Sequence, residues 1–171
     1  MHGHAVSEIG ILKIAFIGYL RKPKQEICCG KSDWKRKDMA SISYRTNARI
    51  SPEQLAEIFH RSGIRRPVDD LARMEAMLAH ANLLITAWDG EQLVGVARAL
   101  TDFSYCCYLS DLAVDQSHQR RGIGAALVEQ VRRAIGEKSM LLLLAAPEAM
   151  QYYPKIGFEP VPNGWIIKRA A

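Results

Sequence analysis

Between Leu83 and Leu127 the hydrophobic pattern changes its period, and this limits the folds open to the chain. Leu83-Leu84-Ile85-Thr86-Ala87-Trp88 runs into Asp89-Gly90 and leaves through Leu93-Val94-Gly95-Val96-Ala97-Arg98-Ala99-Leu100. Asp-Gly between two apolar runs predicts a hairpin, because both residues tolerate the positive φ of a tight turn. A third strand-like run covers Tyr105 to Val114. The stretch DQSHQRRGIGAAL, Asp115 to Leu127, follows directly, and apolar residues then recur at Leu127, Val128, Val131 and Ile135. That is helical spacing. The order over this stretch is therefore three strands, a glycine-bearing turn and a helix.

The flanks extend this pattern. Ile42, Tyr44 and Thr46 alternate as in a short strand. Ser51-Pro52-Glu53-Gln54 predicts a helix start: Ser51 caps, Pro52 suits the first helical position, and Gln54 completes a capping box. Leu55, Ile58 and Phe59 form the apolar face of that helix, and Ser62-Gly63 ends it. A second helix is predicted after Pro67, with Leu71, Met74, Met77 and Leu78 inward. The run Met140 to Ala145 reads as a buried strand with a parallel neighbour. Pro147 to Lys155 reads as a short helix ended by Gly157. A last strand pair is predicted around Phe158 and Trp165-Ile166-Ile167, joined by Pro162-Asn163-Gly164. The predicted order is β α α β β β α β α β β.

A length of 171 residues suits one compact domain. The formal charge of +5 raises nucleic acid as a partner, but residues 1–38 hold eight Lys/Arg against four Asp/Glu and so carry most of it. The remainder is nearly neutral, so nucleic-acid binding is not expected except through that basic segment. Ile9 to Leu20 is apolar but shorter than the roughly 20 residues a membrane span needs. Its basic cluster follows the apolar run, the reverse of a signal peptide. Residues 1–38 are therefore expected to be an N-terminal extension, disordered or the product of an upstream start, before a domain at 39–171. The rival reading is a segment that packs on the domain or on a partner. Cys28-Cys29 and Cys106-Cys107 lack metal or redox spacing. Reduced thiols, a cytoplasmic location and no metal are expected.

The glycine turn is the candidate for chemistry. A strand that opens through glycine into a helix leaves backbone N–H groups unpaired, and the helix dipole adds positive charge there. Gly122 and Gly124 let an anion approach the backbone. Arg120 and Arg121 either add charge or face water. The same pattern also fits a tight connection with no ligand. It is not a P-loop, because no lysine follows the glycines. It is not a dinucleotide fingerprint either, because Leu127 takes the third glycine position and LLLLAAP offers no acidic residue.

Gln119, Gly122 and Gly124, preceded by Leu112-Ala113-Val114-Asp115, resemble the Gln/Arg-x-x-Gly-x-Gly/Ala loop of the GNAT superfamily of N-acetyltransferases. Tyr153-Pro154-Lys155-Ile156-Gly157-Phe158-Glu159 resembles the family's Tyr-x-x-x-Gly-Phe-Glu segment, and the element order is similar. The resemblance covers Ile42 to Arg169, roughly three quarters of the chain. It implies a single α/β domain whose mixed, mostly antiparallel sheet is splayed between strands 4 and 5 and flanked by helices. It implies acetyl transfer from acetyl-CoA, as co-substrate, to an amine of a small molecule or peptide, with a homodimer left open.

By the same resemblance, Gln119, Arg120 and the backbone of Arg121, Gly122, Ile123, Gly124 and Ala125 would hold the CoA pyrophosphate. Leu112 and Val114 would run beside the pantetheine arm, and the N–H of Leu112 or Ala113 would polarise the thioester carbonyl. Tyr153 would protonate the leaving thiolate, with Tyr152 as its packing partner; packing is also the rival role for Tyr153. Ser110 stands where many relatives carry a Glu base, leaving the adjacent Asp111 as a base, directly or through water, or as a substrate contact. Ala146 stands where relatives often place an Asn that touches CoA. In the loop Gly63–Asp70, Arg65 and Arg66 would attract a carboxylate and Asp69 and Asp70 an amine, or the aspartates cap the next helix and the arginines are solvated. The Ser110 and Ala146 departures also allow an inactive acyl-CoA-binding sensor or scaffold.

Overall fold

Five strands form one sheet in the order β1-β2-β3-β4-β5, in a computed structural model that describes residues 42–170. The predicted N-terminal extension, the Ile9–Leu20 run and Cys28-Cys29 lie outside the described residues. The strands are β1 (Ile42–Thr46), β2 (Leu83–Asp89), β3 (Gln92–Thr101), β4 (Cys106–Val114) and β5 (Met140–Leu142). The helices are α1 (Pro52–Ser62), α2 (Leu71–Ala79) and α3 (Ile123–Ile135). β1 to β4 pair antiparallel, and β5 joins β4 in parallel.

Local chemistry sets the helix starts as the sequence predicts. Ser51 Oγ accepts from Gln54 N–H and Gln54 Oε1 accepts from Ser51 N–H, which closes the capping box of α1. Leu55, Ile58 and Phe59 are completely buried, so the apolar face is the predicted one. Asp70 caps α2 through Arg73 N–H. Met74 is buried and Met77 and Leu78 pack beside it, but Leu71 is exposed, a correction to its predicted inward position.

The sheet is covered on both faces. Leu83, Ile85 and Ala87 of β2 face Leu127, Val131 and Ile135 of α3. Leu84 and Trp88 turn to α1 and α2. Double coverage explains why β2 is apolar at both parities. α3 sits close because Gly95 has no side chain: a Cβ there would lie 3.1 Å from Leu127 Cδ1. This brings the start of α3 to the end of β4.

The C-terminal third departs from prediction. The strand expected over Met140–Ala145 extends only to Leu142, and as an edge strand it is half-buried with Met140 exposed. The helix expected over Pro147–Lys155 is replaced by two 3₁₀ turns, Pro147–Ala149 and Tyr153–Ile156. Pro154 lacks the N–H that a continuous α-helix would need there. The predicted strand pair at Phe158 and Trp165–Ile167 does not form, and Trp165 and Ile167 are exposed. Pro160 and Pro162 remove ladder donors, and Phe158 N–H is bonded instead to Tyr153 O.

Candidate functional site

β4 and β5 share only the pairs Cys106–Met140, Cys107–Leu141 and Tyr108–Leu142, yet β4 continues to Val114. Beyond Tyr108 no strand among the described residues pairs with this edge of β4. The separation begins at a bulge: Arg98 pairs with Asp111 and Ala99 with Leu109, so Ser110 is the extra residue. A bulge bends the strand and breaks its ladder. The opening is a cleft of about 660 Å³, lined by Leu109, Ser110 and Leu112–Val114 of β4, by Leu143–Ala149, by Gly63–Arg66 and by Tyr153.

The backbone of β4 offers hydrogen bonds to this cleft. Asp115 N–H donates to Val94 O of β3. Strand groups alternate with period two, so Ala113 also faces β3 while the N–H groups of Leu112 and Val114 face the open side. Of the two predicted thioester donors, only Leu112 therefore points where an acyl group can reach it.

The turn after β4 is braced. Asp115 Oδ1 accepts from Ser117 N–H and Oγ at 2.9 and 2.6 Å. Arg61 Nε lies 3.2 Å from Asp115 Oδ2, close enough for charge attraction but not directed for a hydrogen bond. Burial alone would push Asp115 up, but the Ser117 bonds, Arg61 and His118 outweigh it and hold the carboxyl below its ordinary value of 3.8. His118 lies between Ser117 Oγ and Asp89 Oδ2 at 2.8 and 3.3 Å. Gln119 lines the cleft, and its Nε2 donates to Val114 O and Ser62 O, tying α1 to the end of β4. Arg120 and Gly122 take positive φ, 61° and 84°, which turns the chain into α3. The Arg120 side chain is exposed and that of Arg121 half-buried.

α3 starts with no side-chain cap. Ala126 N–H is its first intrahelical donor, to Gly122 O, so the N–H groups of Ile123, Gly124 and Ala125 have no intrahelical acceptor. Together with the helix dipole they form an anion cradle. Over it lies Tyr152, whose hydroxyl would be 2.7 Å from a Cβ on Gly124, with Cζ next at 3.5 Å. The expected outcome for Gly124→Ala is a displaced Tyr152 ring and a loss of stability, reduced by the up to about 1 kcal/mol that alanine gains over glycine in a helix. Adding Tyr152→Phe removes the clashing oxygen and restores most of it. Thermal unfolding of the two single variants and the double variant measures the coupling; purely additive effects would refute it.

Asp111 is placed as a brace. Its side chain has no exposure, with Oδ1 2.5 Å from Arg66 Nε and Oδ2 2.5 Å from Arg98 Nε. Arg98 also donates to Ser110 Oγ and Met77 O, and Arg66 to Ser110 O and Arg65 O. With both oxygens engaged and no opening to the cleft, Asp111 does not meet an acceptor amine directly. Sequence reasoning missed the role of Arg98. The signal was present, since an arginine inside VGVARAL must find a buried partner.

Tyr153 lines the cleft, and its ring stands edge-on to Tyr152 and Phe158 at 5.4 and 5.5 Å. Burial raises its phenol above the ordinary value of 10.0 against the opposing pull of Arg66. Tyr152 is likewise raised, by burial and then by Tyr153. Among the described residues no group of three or more His, Cys, Asp or Glu could hold a metal ion.

The family model described as an acetyltransferase (GNAT) domain matches residues 47–165. GCN5-related N-acetyltransferase 2, chloroplastic, of Arabidopsis thaliana is 35% identical over 83 residues, which are 44% of this chain and 32% of that protein. The chain thus spans about a third of that relative's length. An acetyltransferase of the GNAT family from Streptococcus pneumoniae superposes with a TM-score of 0.61 at 23% identity, covering 75% of this chain and 99% of its own. The aminoglycoside N-acetyltransferase AAC(6')-Iy in complex with CoA gives 0.58 at 19%, covering 76% and 95%. At such identities the likeness to these two structures is one of fold.

Proposed function

Because the chain belongs to the GNAT acetyltransferase family, we propose that it moves an acetyl group from acetyl-CoA directly to an amine of a small molecule or peptide. The observation that carries this reading is the open edge of β4 leading to the uncapped start of α3. The strand edge supplies strand-type hydrogen bonds, and the helix start that follows it in the chain supplies an anion cradle. Leu112 and Val114 present N–H groups for a pantetheine arm, and Ile123, Gly124 and Ala125 present theirs for a pyrophosphate.

Leu112 N–H then polarises the thioester carbonyl, a donor fixed in advance by the strand. The amine nitrogen forms a bond to the carbonyl carbon as the C–S bond breaks. Tyr153, kept protonated by burial, gives its proton to the departing sulfur. The amine's own proton passes to water in the cleft, since the Asp111 oxygens are both held by arginines. Residues 39–171 are the proposed catalytic domain, acting in a reducing, cytoplasmic setting.

The test is titration with acetyl-CoA followed by thiol release against a panel of amines, amino acids and peptides. Saturable binding at micromolar concentrations with amine-dependent thiol release is the expected result. Failure to bind acetyl-CoA would overturn the reading. A second reading, an acyl-CoA sensor without turnover, is favoured by the sealed Asp111 and by Ser110, whose side chain is bonded to Arg98. Tight binding with no release across the whole panel would establish it.

A further inference from the structure

The cleft carries three charged side chains among its described lining residues, Arg65, Arg66 and Glu148. Their balance bears on the acceptor. Glu148 Oε1 lies 4.0 Å from Arg65 Nη2, so the one lining carboxylate already faces a guanidinium across the mouth. Behind the wall, Asp111 has both oxygens on Arg66 and Arg98 and no exposure. Among the described residues three guanidiniums thus share two carboxylates, which leaves one net positive charge and no carboxylate turned to the cleft without a cation beside it. Asp70, the other candidate for holding a cation, is occupied capping α2, and Asp69 does not line the cleft.

Position assigns this charge to the acyl end. Arg66 Nη2 is bonded to Ser110 O at the bulge, four residues before Val114, or about 13 Å along the strand from the pyrophosphate turn. Arg66 makes one bond from each of its three nitrogens, to Asp111, Arg65 O and Ser110 O. Two of its five N–H groups are left uncommitted among the described residues. Arg65 is almost wholly exposed, and its side-chain ion pair among the described residues is the long one to Glu148. Guanidinium groups with donors to spare are suited to a planar, bidentate anion such as carboxylate.

We propose that the acceptor is an amine that itself carries a carboxylate, an amino-acid-like molecule whose anionic end is held by Arg65 and Arg66 while its amine reaches the thioester beside Leu112. This deepens the acetyltransferase reading and rests on it. A polyammonium acceptor would bring positive charge to a wall that already has an excess, in a partly enclosed site where repulsion is less screened than in water. An anionic amine neutralises that excess, and its carboxylate anchors the nitrogen at a fixed distance from the cleft floor.

The experiment uses the full chain and a series of ω-amino acids of increasing length, each paired with the n-alkylamine of the same chain length. Steady-state kinetics are measured for the wild type and for Arg65→Ala, whose exposed side chain leaves the fold intact. The wild type is expected to favour the carboxylate-bearing member by at least tenfold in kcat/KM at the best length. Arg65→Ala should shrink that ratio several-fold through KM, with kcat little changed for the amino acid. Comparing the ratio between the two proteins cancels the intrinsic reactivity of each amine. Equal or reversed preference, or a ratio unchanged in Arg65→Ala, overturns the assignment. Acetyl-CoA binding followed calorimetrically separates the two claims. Intact binding with no carboxylate preference, or with no turnover of either series, overturns the acceptor class alone, whereas lost binding overturns the acetyltransferase reading and the acceptor class with it.

Discussion

Tyr153→Phe lowers kcat by about two to four orders of magnitude, the range that a positioned general acid supplies. The ring stays between Tyr152 and Phe158, so the variant keeps its packing and loses only the proton donor. Acetyl-CoA affinity is expected to change by less than about twofold, or about 0.4 kcal/mol. The pH profile gives an independent check. The reaction needs the protonated phenol, and burial raises its pKa above 10.0. The acid form therefore persists through the neutral and mildly alkaline range, and any limb set by this group appears only above that value and is missing in the variant. Unchanged turnover would return Tyr153 to a packing role. An equal loss of turnover and thermal stability would do the same.

Asp111→Asn is the variant expected to cost most in stability, about 3–5 kcal/mol, because it leaves two guanidiniums near a partner that can no longer balance them. Arg98 has only 8% of its side chain exposed, so solvent does little to compensate. For a domain of this size the loss corresponds to a fall of roughly 10–20 °C in Tm. Urea denaturation checks the free energy directly. The same variant separates a brace from a base. If Asp111 accepted the amine proton, Asp111→Asn would abolish turnover while leaving Tm and acetyl-CoA binding in place. The geometry requires the reverse order of effects, with unfolding first and any kinetic loss following from the displaced Ser110 bulge.

Much of the fold was legible because the signals are short-range. The capping box needs only Ser51 and Gln54, and Gly63 ends α1 at a φ of 80° that few other residues adopt. The failed predictions share a cause as well. Trp165-Ile166-Ile167 has strand composition, but a strand exists only where another backbone pairs with it, and composition does not report that. The helix predicted over Pro147–Lys155 ignored Pro154, whose missing N–H favours separate 3₁₀ turns.

The site divides along the same line. The sequence by itself determined what each position can do: glycines at 122 and 124 that expose backbone, a phenol at 153, a carboxylate at 111, guanidiniums at 65, 66 and 98. It did not determine which of these groups are free to act. That depended on contacts between residues 13 and 45 positions apart, which lock Asp111 between Arg98 and Arg66. It depended also on the bulge at Ser110, which parts β4 from β5, and on the Tyr152 hydroxyl over Gly124. A side chain's chemistry is a local property, but its availability depends on which neighbours the folded chain brings within bonding distance, and only the tertiary structure decides that.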